Sequence, residues 1–600
     1  MGAVSSYSML FNFKLQLEFL LQECVDEIIP PEGDPMKGMS APIPVLIEVP
    51  LDKKHGDYSC SVALRLASIR KKNPLELASL LKDAVHLKLQ NTPLHNKIQS
   101  IEVVKPGFIN FHLGRAAILE ILQEILQAGE NFGRSNQGLM RNADSRYSKE
   151  HSYEEILRFA QNDGKICHKV QIEFLSANPT GPLSVAHARQ AAVGDALGNI
   201  LKFLGYDVFK EYYVNDEGNQ INILGRSIEL RAREILGETV SFPEDGYQGD
   251  YIREMAQIFM DQNKITTIDE LNGKELSDFS QFGVDYLMAV IKKELDDFGV
   301  TFDVWSYQSK IAPVDTIENV LKFLRKKGDI YDHEGAVWFK STAFGDDKDR
   351  VVRKSDGSYT YLTPDIVYHK NKFERGFQKV INIWGPDHHG YIPRLKAAVE
   401  ALGYDPQGLE VLIVQLATIF HDGKPLSMST RRGQYISLRE VLSEVGKDAA
   451  RFFFLMRHIK AHLEFDLELA KKETPENPVY YIQYAHARIH SILGVAKGLN
   501  LKPMTQGFHL LKEEEEFDLI KKIWNFPDVL SICNYQLDPY LLTCYLLELA
   551  TVFHKFYDRH RVVDAQNPAL SAERLALINA TRIVLANGLN ILGVSAPQKM

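Results

Sequence analysis

The chain has 600 residues, 45% of them hydrophobic and 24% charged, with a net charge of −9. At roughly 150 residues per domain this length suggests two to four domains with ample apolar material for cores. The mix excludes a disordered, fibrous or disulfide-stapled chain, and the acidic balance argues at first against a nucleic-acid partner, which usually meets a basic excess.

Five cysteines are scattered without a C-x-x-C pair, and Cys167-His168 offers half a metal site with no second half. Reduced thiols in a cytoplasmic protein and no metal site are therefore expected. The N-terminal Met-Gly-Ala-Val-Ser-Ser fits a myristoylation pattern too short to weigh. The stretch Met9 to Leu21 is broken by Lys14, Gln16 and Glu18, which makes it amphipathic. No run of 18 apolar residues occurs, so no membrane-spanning segment is expected.

Residues 1–115 mix helical periodicity at Leu15 to Ile28 and Pro74 to Leu89 with β-rich runs at Val45 to Val49 and Phe108 to Leu113. This pattern reads as a compact α+β domain. A helix from Ala116 to Ala128 opens a linker region, 116–167. Its Ser-, Asn-, Arg- and Gln-rich part near 133–164 reads as an insertion.

From 168 the character changes. A strand at Val170 to Leu175, a loop at Ser176 to Leu183, a helix at Ser184 to Leu204 and a strand at Asp207 to Val214 form a βαβ unit. Strands at Val380 to Trp384 and Val411 to Gln415 flank a helix at Ile392 to Leu402. Together they suit a doubly wound parallel, Rossmann-like sheet with a long insertion, over 168–474. Residues 475–600 read as an all-α helical bundle. The fold class is thus multidomain α/β.

The loop Leu175-Ser-Ala-Asn-Pro-Thr-Gly-Pro-Leu-Ser-Val-Ala-His187 ends a strand and opens a helix, where open α/β sheets bind ligands. The helix N-terminus favours a phosphate. Gly181 and the flanking prolines allow a close, rigid backbone approach, and His187 can donate to a phosphate oxygen. The plain alternative is a tight βα turn capped by Ser184.

Five segments carry a resemblance. They are Ser176 to Asp195; Tyr212-Tyr-Val-Asn-Asp-Glu-Gly-Asn-Gln220; Tyr361-Leu-Thr-Pro-Asp365; Trp384-Gly-Pro-Asp-His-His-Gly-Tyr391; and the closing Asn587 to Met600. In order and over nearly the whole chain, they resemble arginyl-tRNA synthetases, which are class I enzymes. The family's His-x-Gly-His tetrad reads Ser184-Val185-Ala186-His187 here. Its Lys-Met-Ser-Lys loop reads Ser427-Met428-Ser429-Thr430, followed by Arg431 and Arg432, with Lys424 upstream.

The resemblance implies an arginine–tRNA ligase that uses ATP, with Mg²⁺ accompanying the nucleotide, and binds arginine and its tRNA, as a monomer. It points to Ser184, His187, Ser429 and Arg431 for catalysis. It points to Gly181, His187, Asp387, His388 and Met428 for ATP, with His389 a further adenosine neighbour. Asn178, Gln308, Tyr361 and Asp365 would bind arginine, since a guanidinium needs carboxylates and planar acceptors. Tyr361 and Asp365 are four apart, one helical face; a core aromatic and a surface ion-pair partner are the plain alternative. Gln308 stands where the family tends to place Glu.

Tyr480 to Arg488 interleaves aromatic and basic residues suited to stacking bases, against the alternative of a core stripe. Lys53 to Tyr58 resembles the family's tRNA-contacting N-terminal domain. Such local basic tracks outweigh the global charge, so tRNA becomes the expected partner. The departures at Ser184, Ala186, Gln308, Ser427 and Thr430 motivate an alternative: a weakened paralogue that binds tRNA without efficient charging.

Overall fold

The computed structural model describes residues 13–28, 45–50, 52–92, 94–134, 169–426 and 436–600. The N-terminal unit contains α1 (Phe13–Ile28), β1 (Ile47–Glu48), β2 (Tyr58–Cys60), α2 (Val62–Arg70), α3 (Pro74–Leu89), β3 (Ile98–Val104) and β4 (Phe108–Leu113). Its four strands form an antiparallel sheet in the order β1-β2-β4-β3. α3 begins where Asn73 accepts the Leu75 N–H and Pro74 occupies the first turn, a strong start signal. α4 (Arg115–Ala128) follows directly. Most of the predicted insertion, and the Cys167-His168 pair, lie outside the described residues.

β5 (Lys169–Phe174), α5 (Val185–Phe203) and β6 (Asp207–Val214) form the expected βαβ unit, with β5 and β6 parallel. The helices α6 (Asn219–Ile235), α7 (Asp250–Asn263), α8 (Ile268–Asn272) and α9 (Leu276–Asp297) form the long insertion. β7 (Val304–Tyr307), α10 (Gln308–Ile311) and α11 (Val314–Lys327) follow. A small antiparallel sheet of β8 (Ile330–His333), β9 (Ala336–Phe339) and β10 (Arg350–Arg353) comes next. α12 (Leu362–Glu374), β11 (Lys379–Trp384), α13 (Ile392–Ala401) and β12 (Leu409–Ile413) complete the main sheet.

That sheet is wholly parallel, in the order β12-β11-β5-β6-β7. The strand order therefore reverses between β5 and β11. Ligands bind at such a reversal, beyond the carboxyl ends of the strands. The last strand starts and ends two residues earlier than the sequence pattern suggested, because Leu409 pairs with Val380.

Two glycines bring α5 onto the sheet. A Cβ at Gly194 would lie 2.2 Å from the Phe174 ring, and one at Gly198 would lie 2.6 Å from the Lys210 side chain. Between them Asp195 makes a buried ion pair with Lys210 at 2.6 Å and with Arg451 at 2.5 Å.

After β12 come β13 (Ala417–His421), β14 (Lys424–Pro425), α14 (Leu438–Leu455), β15 (Leu463–Asp466) and α15 (Leu467–Lys471). The bundle is α16 (Pro478–Gly498), α17 (Glu514–Trp524), α18 (Phe526–Gln536), α19 (Tyr540–Arg559) and α20 (Pro568–Ile591). Arg451 ties this bundle to the sheet by donating to Leu592 O at 2.8 Å. Gly593, at φ +70°, leaves room for that guanidinium: a Cβ there would lie 2.4 Å from it. Among the described residues no helix is long and apolar enough to cross a membrane.

Candidate active site

The chain leaves β5 through a strained turn. Leu175 has φ 69° and Ser176 φ 39°, conformations L-residues rarely adopt. Hydrogen bonds hold the strain: Ser176 N–H donates to Phe174 O at 2.9 Å, and Tyr213 N–H donates to Ser176 Oγ at 3.0 Å. Farther along, Ala177 O accepts from Tyr212 Oη at 2.8 Å and Thr180 O from Tyr251 Oη at 2.8 Å. Asn178 is exposed and donates to Gln220 Oε1 at 2.7 Å. Gly181 is half-exposed in the bend before α5.

Ser184 is buried and N-caps α5, and its backbone bridges to Ser437. His187, in the first turn, accepts the Ser184 N–H on Nδ1 at 3.2 Å. Burial pushes the imidazole down to about 4, so it is neutral at pH 7. Because Nδ1 is the acceptor, the ring proton sits on Nε2. Two residues on, buried Arg189 anchors the helix by donating to Gln415 O at 2.7 Å, Ala461 O at 2.9 Å and His458 O at 3.0 Å.

Leu438 N–H donates to Leu183 O at 2.7 Å and Val185 N–H to Ile436 O at 3.3 Å. The return from the second signature loop is thus fastened beside His187. That loop itself, with Ser427, Met428, Ser429, Thr430, Arg431 and Arg432, lies outside the described residues. Lys424, on β14, is exposed.

Across the reversal, Gly385 and a 3₁₀ turn (Pro386–Tyr391) follow β11. A Cβ at Gly385 would lie 2.7 Å from Asp387 Oδ1 and 3.4 Å from the Gln190 amide of α5, so the turn is folded back against that helix. Asp387 and His388 are exposed and 3.4 Å apart, and the His388 ring lies 5.9 Å from that of Trp384. His389 is exposed as well. The Asp387 carboxylate is thus solvent-exposed on a turn packed against α5.

Beside this lies a network of hydrogen-bonded side chains around Tyr391 and Tyr213. Tyr391 Oη donates to Asp365 Oδ2 at 2.5 Å. Burial pushes the Asp365 carboxyl up to about 6, against the opposing pull of that hydrogen bond. Tyr213 Oη donates to Gln308 Oε1 at 2.8 Å, and its ring stacks on Tyr368 at 4.5 Å. Tyr368 Oη donates in turn to buried Glu211, which also pairs with Arg375 at 2.7 Å. Buried Lys372 pairs with Glu173 and donates to Asn382 Oδ1 at 2.8 Å.

The structure corrects the plain alternative for Tyr361 and Asp365. Tyr361 is 69% exposed at the N-terminus of α12, so it is no core aromatic, and Asp365 turns inward to Tyr391 and not to a surface cation. The sequence reading missed Tyr391, Tyr213 and Glu173. Tyr391 closes the quoted Trp384 run, and a donor positioned beyond a strand end was the available signal.

Two further segments were expected to meet the tRNA. Tyr480, Tyr484 and Arg488 follow one another at intervals of four along α16 and are half-exposed, so they are not the core stripe; Ile482, Ala485 and Ile489 are. The Arg488 guanidinium lies 5.0 Å from the Tyr484 ring and 5.4 Å from that of Tyr557. In the N-terminal unit, Lys54 and His55 are exposed. Lys53 pairs instead with Glu514 at 3.4 Å, and Tyr58 packs edge-on to Trp524 at 5.8 Å. Half of that run thus docks on the bundle.

The family model described as "tRNA synthetases class I (R), catalytic domain" matches residues 156–463. "Arginyl tRNA synthetase N terminal domain" matches 16–113, and "DALR anticodon binding domain" matches 482–600. The chain is 44% identical over 558 residues to an arginine–tRNA ligase of Bacillus licheniformis, covering 93% of the chain and 94% of that relative. It is 44% identical over 595 residues to the arginine–tRNA ligase of Anoxybacillus flavithermus, covering 98% and 100%. Among solved structures, the Thermus thermophilus arginyl-tRNA synthetase shares the fold at a TM-score of 0.70 and 20% identity, over 98% of the chain and all of that structure.

Proposed function

From the premise that the chain belongs to the arginyl-tRNA synthetase family and is an arginine–tRNA ligase, we propose a division of labour among its residues. ATP is a substrate and lies across the sheet reversal. Its phosphates meet the N-terminus of α5, where the His187 Nε2–H donates to the α-phosphate as negative charge builds on it. Ser184 acts mainly as the N-cap that fixes the His187 tautomer. Asp387 accepts from the ribose hydroxyls, with Gly181 and His388 alongside. ATP arrives as its magnesium complex, the metal held chiefly by the phosphates. Met428, Ser429 and Arg431 complete the phosphate clamp.

Arginine places its guanidinium at Asp365, with Tyr361 and Gln308 beside it and Asn178 holding the amino-acid backbone. Its carboxylate then attacks the α-phosphorus, pyrophosphate leaves, and a terminal ribose hydroxyl of tRNA takes the arginyl group with release of AMP. Holding these reactants in line supplies most of the acceleration, since no covalent nucleophile is needed. The Tyr480–Arg488 face and the exposed Lys54–His55 turn contact the tRNA, and the enzyme works in the cytoplasm as a monomer.

The observation that carries this reading is the convergence of the His187 loop, the Asp387 turn and the Asp365–Tyr391 pair at one strand-order reversal. No feature of the described residues favours the weakened-paralogue alternative. The test is ATP–pyrophosphate exchange. Exchange is expected with arginine when tRNA is present, and exchange supported equally by lysine, or independent of tRNA, would contradict the reading.

A further inference from the structure

Burial opposes ionisation of the Tyr213 phenol, and the carboxylates of Asp365, Glu173, Asp216 and Glu217 add to that opposition. Their commitments differ sharply. Glu173 is neutralised by buried Lys372 and also accepts from Ser176 Oγ at 3.1 Å. Asp216 accepts from Ser309 N–H at 3.0 Å and Ser309 Oγ at 2.5 Å, spending both oxygens on the start of α10. Asp365 accepts from Tyr391 and keeps one oxygen.

Glu217 is exposed, and its one hydrogen bond among the described residues is long: Gln308 Nε2 donates to its Oε2 at 3.4 Å. It forms no ion pair among the described residues. Gln308 is itself fixed, because its Oε1 accepts from Tyr213 Oη at 2.8 Å. Through this amide Glu217 is linked to the Tyr213 hydroxyl.

A guanidinium presents five donors in a plane and remains charged, so one carboxylate leaves most of it unmatched. Gln308 can accept from it but brings no charge. We propose that Glu217 supplies the second carboxylate for the substrate guanidinium, opposite Asp365, with Gln308 as its positioning residue. This rests on the reading of Asp365 as an arginine ligand.

The test compares Glu217→Gln, Glu217→Gln with Gln308→Glu, and Asp365→Asn in tRNA charging by the full-length enzyme. Glu217→Gln is expected to raise the KM for arginine about tenfold or more, the loss of one charge-assisted contact, with kcat and the KM for ATP nearly unchanged. The double variant, which places a carboxylate at position 308, is expected to recover most of that loss. If Asp365→Asn raises the KM for arginine and Glu217→Gln does not, the inference fails while the pocket stands. If neither variant does so, the pocket reading fails and the inference with it. A double variant no better than Glu217→Gln also counts against the proposal, as does a change confined to the KM for tRNA.

Discussion

Tyr391 and Asp365 are 26 positions apart in sequence, yet the Tyr391 hydroxyl donates to the Asp365 carboxylate at 2.5 Å. The bond links the turn after β11, which carries Asp387, to the first turn of α12. On the proposed assignment, this phenol joins the ATP side of the site to the arginine side. Removing it by Tyr391→Phe should raise the KM for arginine about tenfold, the scale of a hydrogen bond to a charged group, with a smaller effect on kcat. The hydrogen bond also pulls the Asp365 carboxyl down. Without it, the acid limb of kcat/KM for arginine should move to higher pH, and an unmoved limb would refute the link.

Asp365 sits at about 6 because burial disfavours its charge. Free enzyme at neutral pH therefore carries a carboxylate at some expense in stability. The expense is nil below about pH 4, where folded and unfolded carboxyls are both protonated. It grows from about pH 4 to about pH 6 and is complete above that. Asp365→Asn should stabilise the ligand-free protein at pH 7 by about 1–3 kcal/mol in urea unfolding, while sharply weakening arginine use. Equal stability of the two proteins at pH 7 would contradict the assignment.

His187 is held neutral with its proton on Nε2. His187→Ala should lower kcat about 10²–10³-fold and leave the KM for ATP within a few-fold, as expected for a donor used in the transition state. Since the folded imidazole sits at about 4, the kcat profile of the wild type should show no limb near pH 6.5 from this residue. A kcat reduced less than about tenfold by the substitution would remove His187 from the chemistry.

Asp195 separates two buried cations, Lys210 at 2.6 Å and Arg451 at 2.5 Å, where α5, β6 and α14 meet. Asp195→Ala leaves both unpaired and should cost about 3–5 kcal/mol. Because Arg451 also holds Leu592 O, the loss should appear as looser docking of the bundle. Hydrogen exchange near α20 is the readout, and unchanged protection there would count against the coupling.

The sequence was most legible where burial imposes a simple period. The all-apolar face of β5, the Pro74 start of α3 and β4 at Phe108–Leu113 were each readable from composition and turn residues. The three short strands β8, β9 and β10 were not, since four residues carry too little alternation to separate strand from loop. At the site, His187 and Asp387 announced themselves by following strands. Tyr391, Glu173 and Glu217 did not, because their roles depend on partners brought close by the crossover: Asp365, Lys372 and Gln308. Net charge misled, because the protein presents its basic and aromatic groups locally, as at Tyr484 and Arg488.

Arginine charging is measured by incubating the purified chain with labelled arginine, ATP and total tRNA and counting label on acid-precipitated RNA. Incorporation is expected to need ATP, to saturate with arginine, to be unsupported by labelled lysine and to fall steeply in Asp365→Asn. Incorporation no higher than without enzyme, from a protein that still binds tRNA, would contradict it.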